Sequence, residues 1–275
     1  MKLHPFDHAM QLAPADANLA GTWLGATSPA YGNMVGPFGG VTAAMLLQAV
    51  LLHPARLGEP VALTVNFAAA LSDGAFSIVA EPVRTNRSTQ HWSLRLMQAS
   101  DSGGDAVAAT ASVVTALRRA TRSDDDLPMP GVAFDAALPR LGITNSAWTE
   151  RYDMRALRGS IPQVWDGSQS DSLTQLWIRD EPPRPLDFLS LAAMSDAFFP
   201  RIWLRRATRV PAGTVSISSY FHASSAELAR VGSGHLLGQA RAQRFHNGFF
   251  DQSAQLWSPA GALLATSNQV VYYKE

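Results

Sequence analysis

Apolar residues recur along this chain in two successive copies of one pattern, a nearly all-apolar helical stretch followed by alternating runs. The first stretch, Gly39 to Leu52, has strong helix formers, lacks a wet face and stops at His53-Pro54, which predicts a helix surrounded by protein. Its counterpart, Leu186 to Trp203, is entered through Pro182, Pro183 and Pro185, has Pro200 near its end, and is apolar from Leu189 to Met194 except for Ser190. Three strands are predicted after each helix. Val61 to Ala70 matches Thr214 to Ala223, with Phe67 set against Phe221. Phe76 to Gln98 matches Gly234 to Ser258, two alternating stretches broken by Arg84-Thr85-Asn86-Arg87 and by Phe245-His246-Asn247-Gly248, where turns or bulges are expected. Ala108 to Leu117 matches Leu264 to Tyr273, which places Gln269 where the first copy has Val113.

A central apolar helix with a curved antiparallel sheet around it, repeated in tandem, is an α+β architecture and fits the hotdog fold used twice. The length of 275 residues accommodates two such domains. The expected division is an N-terminal domain over residues 1–118, a linker over 119–143 and a C-terminal domain over 144–275. The linker changes from basic (Arg118, Arg119, Arg122) to acidic (Asp124 to Asp126) and ends in Pro128 and Pro130, a composition suited to a solvated crossing. Gly159 to Ser172, with Pro162, Trp165 and Gly167, is expected to be a loop over the second helix's entry.

Composition narrows the function classes. Lys plus Arg and Asp plus Glu are both 22, so no net field draws the chain toward nucleic acid or an anionic membrane. The absence of cysteine removes disulfides, thiolate metal sites and a cysteine nucleophile. Met1 to His8 has no apolar core behind a basic head, the first helix is too short and too interrupted to cross a bilayer, and the cytoplasm is the expected location. His4 and His8 lack the helical context and acidic partner of a zinc motif, so no metal is expected. His222 and His246 fit structural or rim roles, and Val231-Gly232-Ser233-Gly234 fits a turn between strands. There is no Gly-x-Ser-x-Gly elbow or phosphate loop, and the scattered tryptophans suit packing.

The candidate polar trio lies in the second copy alone. Asp196 interrupts an apolar stretch, where a carboxylate is costly unless it is paired, hydrogen-bonded or displayed in a cleft. As a bland alternative it pairs with Arg201, Arg205 or Arg206. Thr214 and Gln269 are polar positions on neighbouring strands, and with Asp196 they form a set able to orient one water and accept its proton. Ser216, Ser218 and Ser219 are alternatives to Thr214. Gly39-Gly40 opens the first helix, where unpaired amides and a partial positive charge make an oxyanion site, or else simply permits close packing.

Met194-Ser195-Asp196, Thr214 eight residues before His222, and Ala265-Thr266-Ser267-Asn268-Gln269 resemble the three signature segments of the acyl-CoA thioesterase II family, the double-hotdog thioesterases. The likeness extends over nearly the whole chain and includes Phe67 and the Arg84 to Ser88 turn, while Gly36-Pro37-Phe38-Gly39-Gly40 departs from it. The resemblance implies an acyl-CoA thioesterase in which Asp196, Thr214 and Gln269 activate water, with Gly39 and Gly40 facing Asp196 as oxyanion donors. Coenzyme A is then part of the substrate, and no separate cofactor is expected. The acyl chain is expected against Met45, Leu46, Phe198 and Phe199, and the assembly is expected to be a dimer of two-domain chains. Two other readings remain: a non-catalytic acyl- or CoA-binding hotdog protein, and a hotdog acyl-CoA hydratase, whose Gly-Asp-x-Asn-Pro-x-His type of segment does not occur here.

Overall fold

The computed structural model describes residues 3–16, 20–99, 103–142 and 146–275. The first half contains α1 (Pro5–Ala9), β1 (Ala13–Pro14), β2 (Thr22–Ala26), α2 (Gly39–Leu51), β3 (Glu59–Phe67), β4 (Ala75–Thr85), β5 (Thr89–Ala99) and β6 (Asp105–Ala116). The second contains β7 (Tyr152–Arg158), β8 (Thr174–Asp180), α3 (Phe188–Met194), α4 (Arg201–Arg206), β9 (Ala212–Phe221), α5 (Ser225–Val231), β10 (Leu236–Arg241), β11 (Phe245–His246), β12 (Phe249–Trp257) and β13 (Leu263–Tyr273). Four main strands follow each central helix, not the three expected, because the long alternating stretch from Phe76 to Gln98 folds into a hairpin. Asn86 N–H closes its turn on Thr89 O at 2.8 Å.

All the strands join one antiparallel sheet in the order β1-β2-β4-β5-β6-β3-β9-β13-β12-β10-β8-β7, with β11 beside β12. The halves meet where β3 pairs with β9, Leu63 opposite Ser219, Thr64 opposite Ser218 and Val65 opposite Ile217. This register is symmetric about the Thr64–Ser218 pair, whose hydroxyls are 2.9 Å apart. The symmetry places Leu63 with Ile217 and Phe67 with Phe221. Val113 and Gln269 then correspond, since Val113 faces Leu63 and Gln269 faces its counterpart Ile217. The same symmetry pairs Val61 with Val215, so the expected match of Val61 to Thr214 is corrected by one residue. At both valines the ladder shifts register, the signature of a β-bulge.

Helix α2 lies in the concavity of the sheet with Val41, Met45, Leu46, Leu47 and Val50 at most 1% exposed. Each such side chain contributes roughly 1.5–3 kcal/mol relative to exposure, so burial rather than helix propensity holds this element. The second helical stretch is broken. Helix α3 begins on Asp187, whose side chain caps Ser190 N–H at 2.8 Å, and ends at Met194; α4 restarts after Pro200. Asp196 therefore sits in the turn between two short helices and not within one. Pro200 lacks the N–H a continuous helix needs and disfavours helical geometry in the residue before it.

Among the described residues, 117–142 form no helix or strand. The charged part is exposed, as a solvated crossing requires, but the remainder is anchored. Met129, Val132 and Leu138 pack against Trp177, Leu237 and Trp257, and Phe134 stacks on the His235 ring at 4.3 Å. The expected boundary between residues 143 and 144 lies outside the described residues. The loop from Gly159 to Ser172 packs on α4, not over the entry to α3. Trp165 meets Trp203 edge-on at 5.9 Å and Ser170 Oγ donates to Leu204 O at 2.8 Å.

Candidate active site

Helices α2 and α3 run against each other so tightly that a Cβ on Gly40 would approach Ala193 O to 2.4 Å. Neither Gly39 nor Gly40 has a positive φ, so these glycines serve close approach and not a left-handed turn. The crossing brings the turn after α3 to the amino end of α2. A Cβ on Gly39 would lie 2.8 Å from Asp196 Oδ2, and the Gly40 amide is directed at the same carboxylate. Asp196 thus faces the positive end of a thirteen-residue helix from the other half of the chain.

Gln269 on β13 donates from Nε2 to Asp196 Oδ1 at 2.8 Å, and Thr214 on β9 donates from Oγ1 to Gln269 Oε1 at 3.1 Å. The threonine hydroxyl fixes which way the amide of Gln269 points, because only Oε1 can accept from it. Thr214 reaches this face through the bulge at Val215. Ile217, Ser219 and Phe221 are buried on the helix side of β9, and strict alternation would turn Val215 inward. Instead Val215 is 37% exposed and Thr214 points in. The first half has the same bulge, at Val61, with a buried Pro60 in place of the threonine and Val113 in place of the glutamine.

None of the arginines considered as partners pairs with Asp196. Arg201 is fully buried and donates to Phe199 O, Ser172 O and Thr174 Oγ1; Arg205 reaches Gln169 and Ser170, and Arg206 reaches Glu275. Burial without a counter-ion raises the Asp196 pKa to about 7, and the hydrogen bond from Gln269 and the Gly40 amide oppose that rise. The serine alternatives to Thr214 stay out of this chain of bonds, with Ser218 bonded to Thr64. His4 caps α1, and His222 bonds Thr266 Oγ1 at 3.2 Å. No metal-ligating cluster occurs among the described residues.

A family model for the acyl-CoA thioesterase N-terminal domain matches residues 28–116, and one for the C-terminal domain matches residues 119–273. The chain belongs to the acyl-CoA thioesterase family. A hot-dog-fold protein of unknown function from Alicyclobacillus acidocaldarius is 44% identical, with a TM-score of 0.91 over 100% of this chain and 99% of the other. An acyl-CoA thioesterase II, TesB2, from Mycobacterium marinum has a TM-score of 0.74 at 18% identity over 98% and 96% of the two chains. A tesB protein from Mycobacterium avium subsp. paratuberculosis has a TM-score of 0.74 at 15% identity over 100% of both. These last two resemble the chain in fold. No curated protein sequence matches it.

Within this thioesterase scaffold the four acyl-pocket candidates divide between two apolar clusters. Met45, Leu46 and Phe198 belong to the main core, where Phe198 packs on Gly238, whereas Phe199 belongs to a second cluster with Trp203, Phe250 and Val271. Val271 and Gln269 lie on the same face of β13, so this aromatic cluster adjoins the polar trio. Two adjoining cavities, of roughly 380 and 490 Å³, share Asp7, Met10 and Gln48 as lining and lie at the carboxyl end of α2, away from Asp196. No helix among the described residues is long and apolar enough to cross a membrane.

The sequence reading missed several buried polar groups. Arg201 is one. Asp153 is another, 1% exposed among Arg140, Arg155, Arg179 and His235. Asp180 is a third, at the end of β8. Each occupies a strand or helix end where a charged residue ordinarily reads as solvent-facing, and no local pattern distinguishes them.

Proposed function

We propose that this chain hydrolyses the thioester of acyl-CoA to a free acid and coenzyme A, with Asp196 as general base. The observation that supports it is the path of bonds from Thr214 through Gln269 to Asp196, meeting the Gly40 amide across the boundary of the two halves. Gln269 occupies Oδ1 and leaves Oδ2 beside Gly39 without a side-chain partner among the described residues, so Oδ2 is the oxygen that takes the proton of the attacking water. The ionised carboxylate takes a proton from that water as its oxygen adds to the thioester carbonyl. Negative charge then develops on the carbonyl oxygen. The Gly40 amide is directed at Asp196, so Gly39 and the positive end of α2 supply the stabilising field. Collapse of the tetrahedral intermediate breaks the carbon–sulfur bond, and the proton held by Asp196 passes to the leaving thiolate. Water and acyl-CoA are the only reactants in this sequence.

Binding without turnover would not need a carboxylate whose proton affinity is raised in this way. Purified protein incubated with acyl-CoAs of graded chain length and a thiol reagent separates these readings. Release of free coenzyme A above the uncatalysed rate is expected for at least one chain length. Binding of acyl-CoA without release of thiol overturns the reading.

A further inference from the structure

A second buried polar cluster, which the Asp196 chain of bonds does not use, lies where the two halves meet. Asp180 and Tyr152 are direct partners in the β7–β8 ladder, so their side chains leave the same face of the sheet side by side. Asp180 Oδ2 accepts a hydrogen bond from Ser190 Oγ on α3. The Tyr152 ring stands edge-on to Tyr31, in the turn before α2, at 6.4 Å, and to Phe38, the cap of α2, at 6.2 Å. Tyr31, Tyr152, Asp180 and Ser190 are all at most 2% exposed. Within this knot Tyr31 Oη, Tyr152 Oη and Asp180 Oδ1 have no hydrogen-bonding partner among the described residues. Two hydroxyls that both donate and accept, and a carboxylate oxygen that accepts, are the kinds of group that an internal water bonds to.

We propose that Tyr31, Tyr152 and Asp180 hold ordered water between them, and that this hydrated knot fixes α3, which leads into the turn bearing Asp196, against the start of α2. Water suits the site better than a metal ion. Burial raises the Asp180 pKa to about 7, so this carboxyl holds a proton more readily than an exposed one. Arg184 and Arg151 already supply positive charge to the cluster, and Asp7 and Asp187 balance Arg184. The two contacts that transmit the arrangement are Ser190 on α3 and Phe38, whose next two residues are Gly39 and Gly40. The positioning role rests on the function proposed above; the water site does not.

The test uses full-length Tyr31→Phe, Tyr152→Phe and the double variant, with thermal unfolding and steady-state kinetics on acyl-CoA. Each single change is expected to lower Tm by about 2–4 °C. The double variant is expected to fall clearly short of the sum, because the shared water is lost with the first hydroxyl. Unchanged or raised Tm in both single variants overturns the water site, since deleting a dry buried hydroxyl relieves an unsatisfied group. For positioning, Tyr152→Phe is expected to lower kcat about 10-fold while KM holds, as small misplacements of a catalytic group do. An unaltered kcat overturns that role. Full activity in Asp196→Asn would defeat the proposed function but leave the Tm comparison to judge the water site.

Discussion

Gln269 donates to Asp196 at 2.8 Å across 73 positions of sequence, joining the last strand of the chain to the turn after α3. That bond orients the carboxylate of the candidate site. It fixes one carboxylate oxygen and leaves the other beside Gly39.

The role of Thr214 is to hold the Gln269 amide in the orientation that donates to Asp196. Thr214→Ser keeps a hydroxyl and is expected to retain activity within about 3-fold. Thr214→Val is isosteric but removes the donor, so the amide loses its fixed orientation. A fall in kcat/KM of about 10-fold is expected, in line with the loss of one hydrogen bond worth ~1 kcal/mol or slightly more. Steady-state kinetics of the two variants side by side checks this, and equal activities would remove Thr214 from the chain of bonds.

A side chain on Gly39 or Gly40 forces a neighbour to move. A methyl on Gly40 meets the backbone oxygen of Ala193, and one on Gly39 meets the Asp196 carboxylate itself. Gly40→Ala is expected to separate α2 from α3 and cost roughly 1–3 kcal/mol, as overpacking does. Gly39→Ala is expected to cost less stability and more activity, because Asp196 can shift where a helix backbone cannot. Denaturant unfolding and turnover measured on the same preparations distinguish the two.

The raised pKa of Asp196 makes a signed statement about stability. Its folded pKa of about 7 lies above the ordinary aspartate value of 3.8, so the folded state binds the proton more tightly. The contribution is fully present below pH 3.8 and is lost as pH rises to about 7, at most on the order of 4 kcal/mol in all. Asp196→Asn removes this dependence. Relative to the wild type, the variant is expected to gain Tm between pH 5 and pH 8. A difference in Tm that stays constant with pH would show that the carboxylate titrates normally.

The same shift sets the pH profile of turnover. A general base must be ionised, so kcat/KM is expected to rise tenfold per pH unit below about 7 and to level off above it. Initial rates between pH 5 and pH 8.5 measure this limb. A flat profile over that range would mean that no group of such affinity acts in the free enzyme.

Much of the scaffold was legible because the same physics acts twice. A helix without a polar face must be wrapped, and alternating runs must form the wrap, so α2, β3 and the β4–β5 hairpin follow from apolar periodicity. The correspondence of Val113 with Gln269 was legible for the same reason. Other features turn on backbone detail that side-chain patterns do not record. The bulges at Val61 and Val215 shift the phase of each strand by one residue, which is why alternation does not show that Thr214 points inward. The break between α3 and α4 was hidden by apolar residues on both sides of Asp196. The contact of Asp180 with Ser190, Tyr31 and Tyr152 is tertiary throughout, assembled from β7, β8, α3 and the turn before α2, so no single segment announces it.

The most direct test of Asp196 as the base is the rate of coenzyme A release by Asp196→Asn, measured with a thiol reagent at saturating acyl-CoA and pH 8, alongside the wild type. The amide has nearly the same shape and cannot accept the proton from water. A loss of about 10²–10⁴-fold in kcat, with acyl-CoA binding retained, is the expected result. A variant that releases coenzyme A at the wild-type rate would contradict the account.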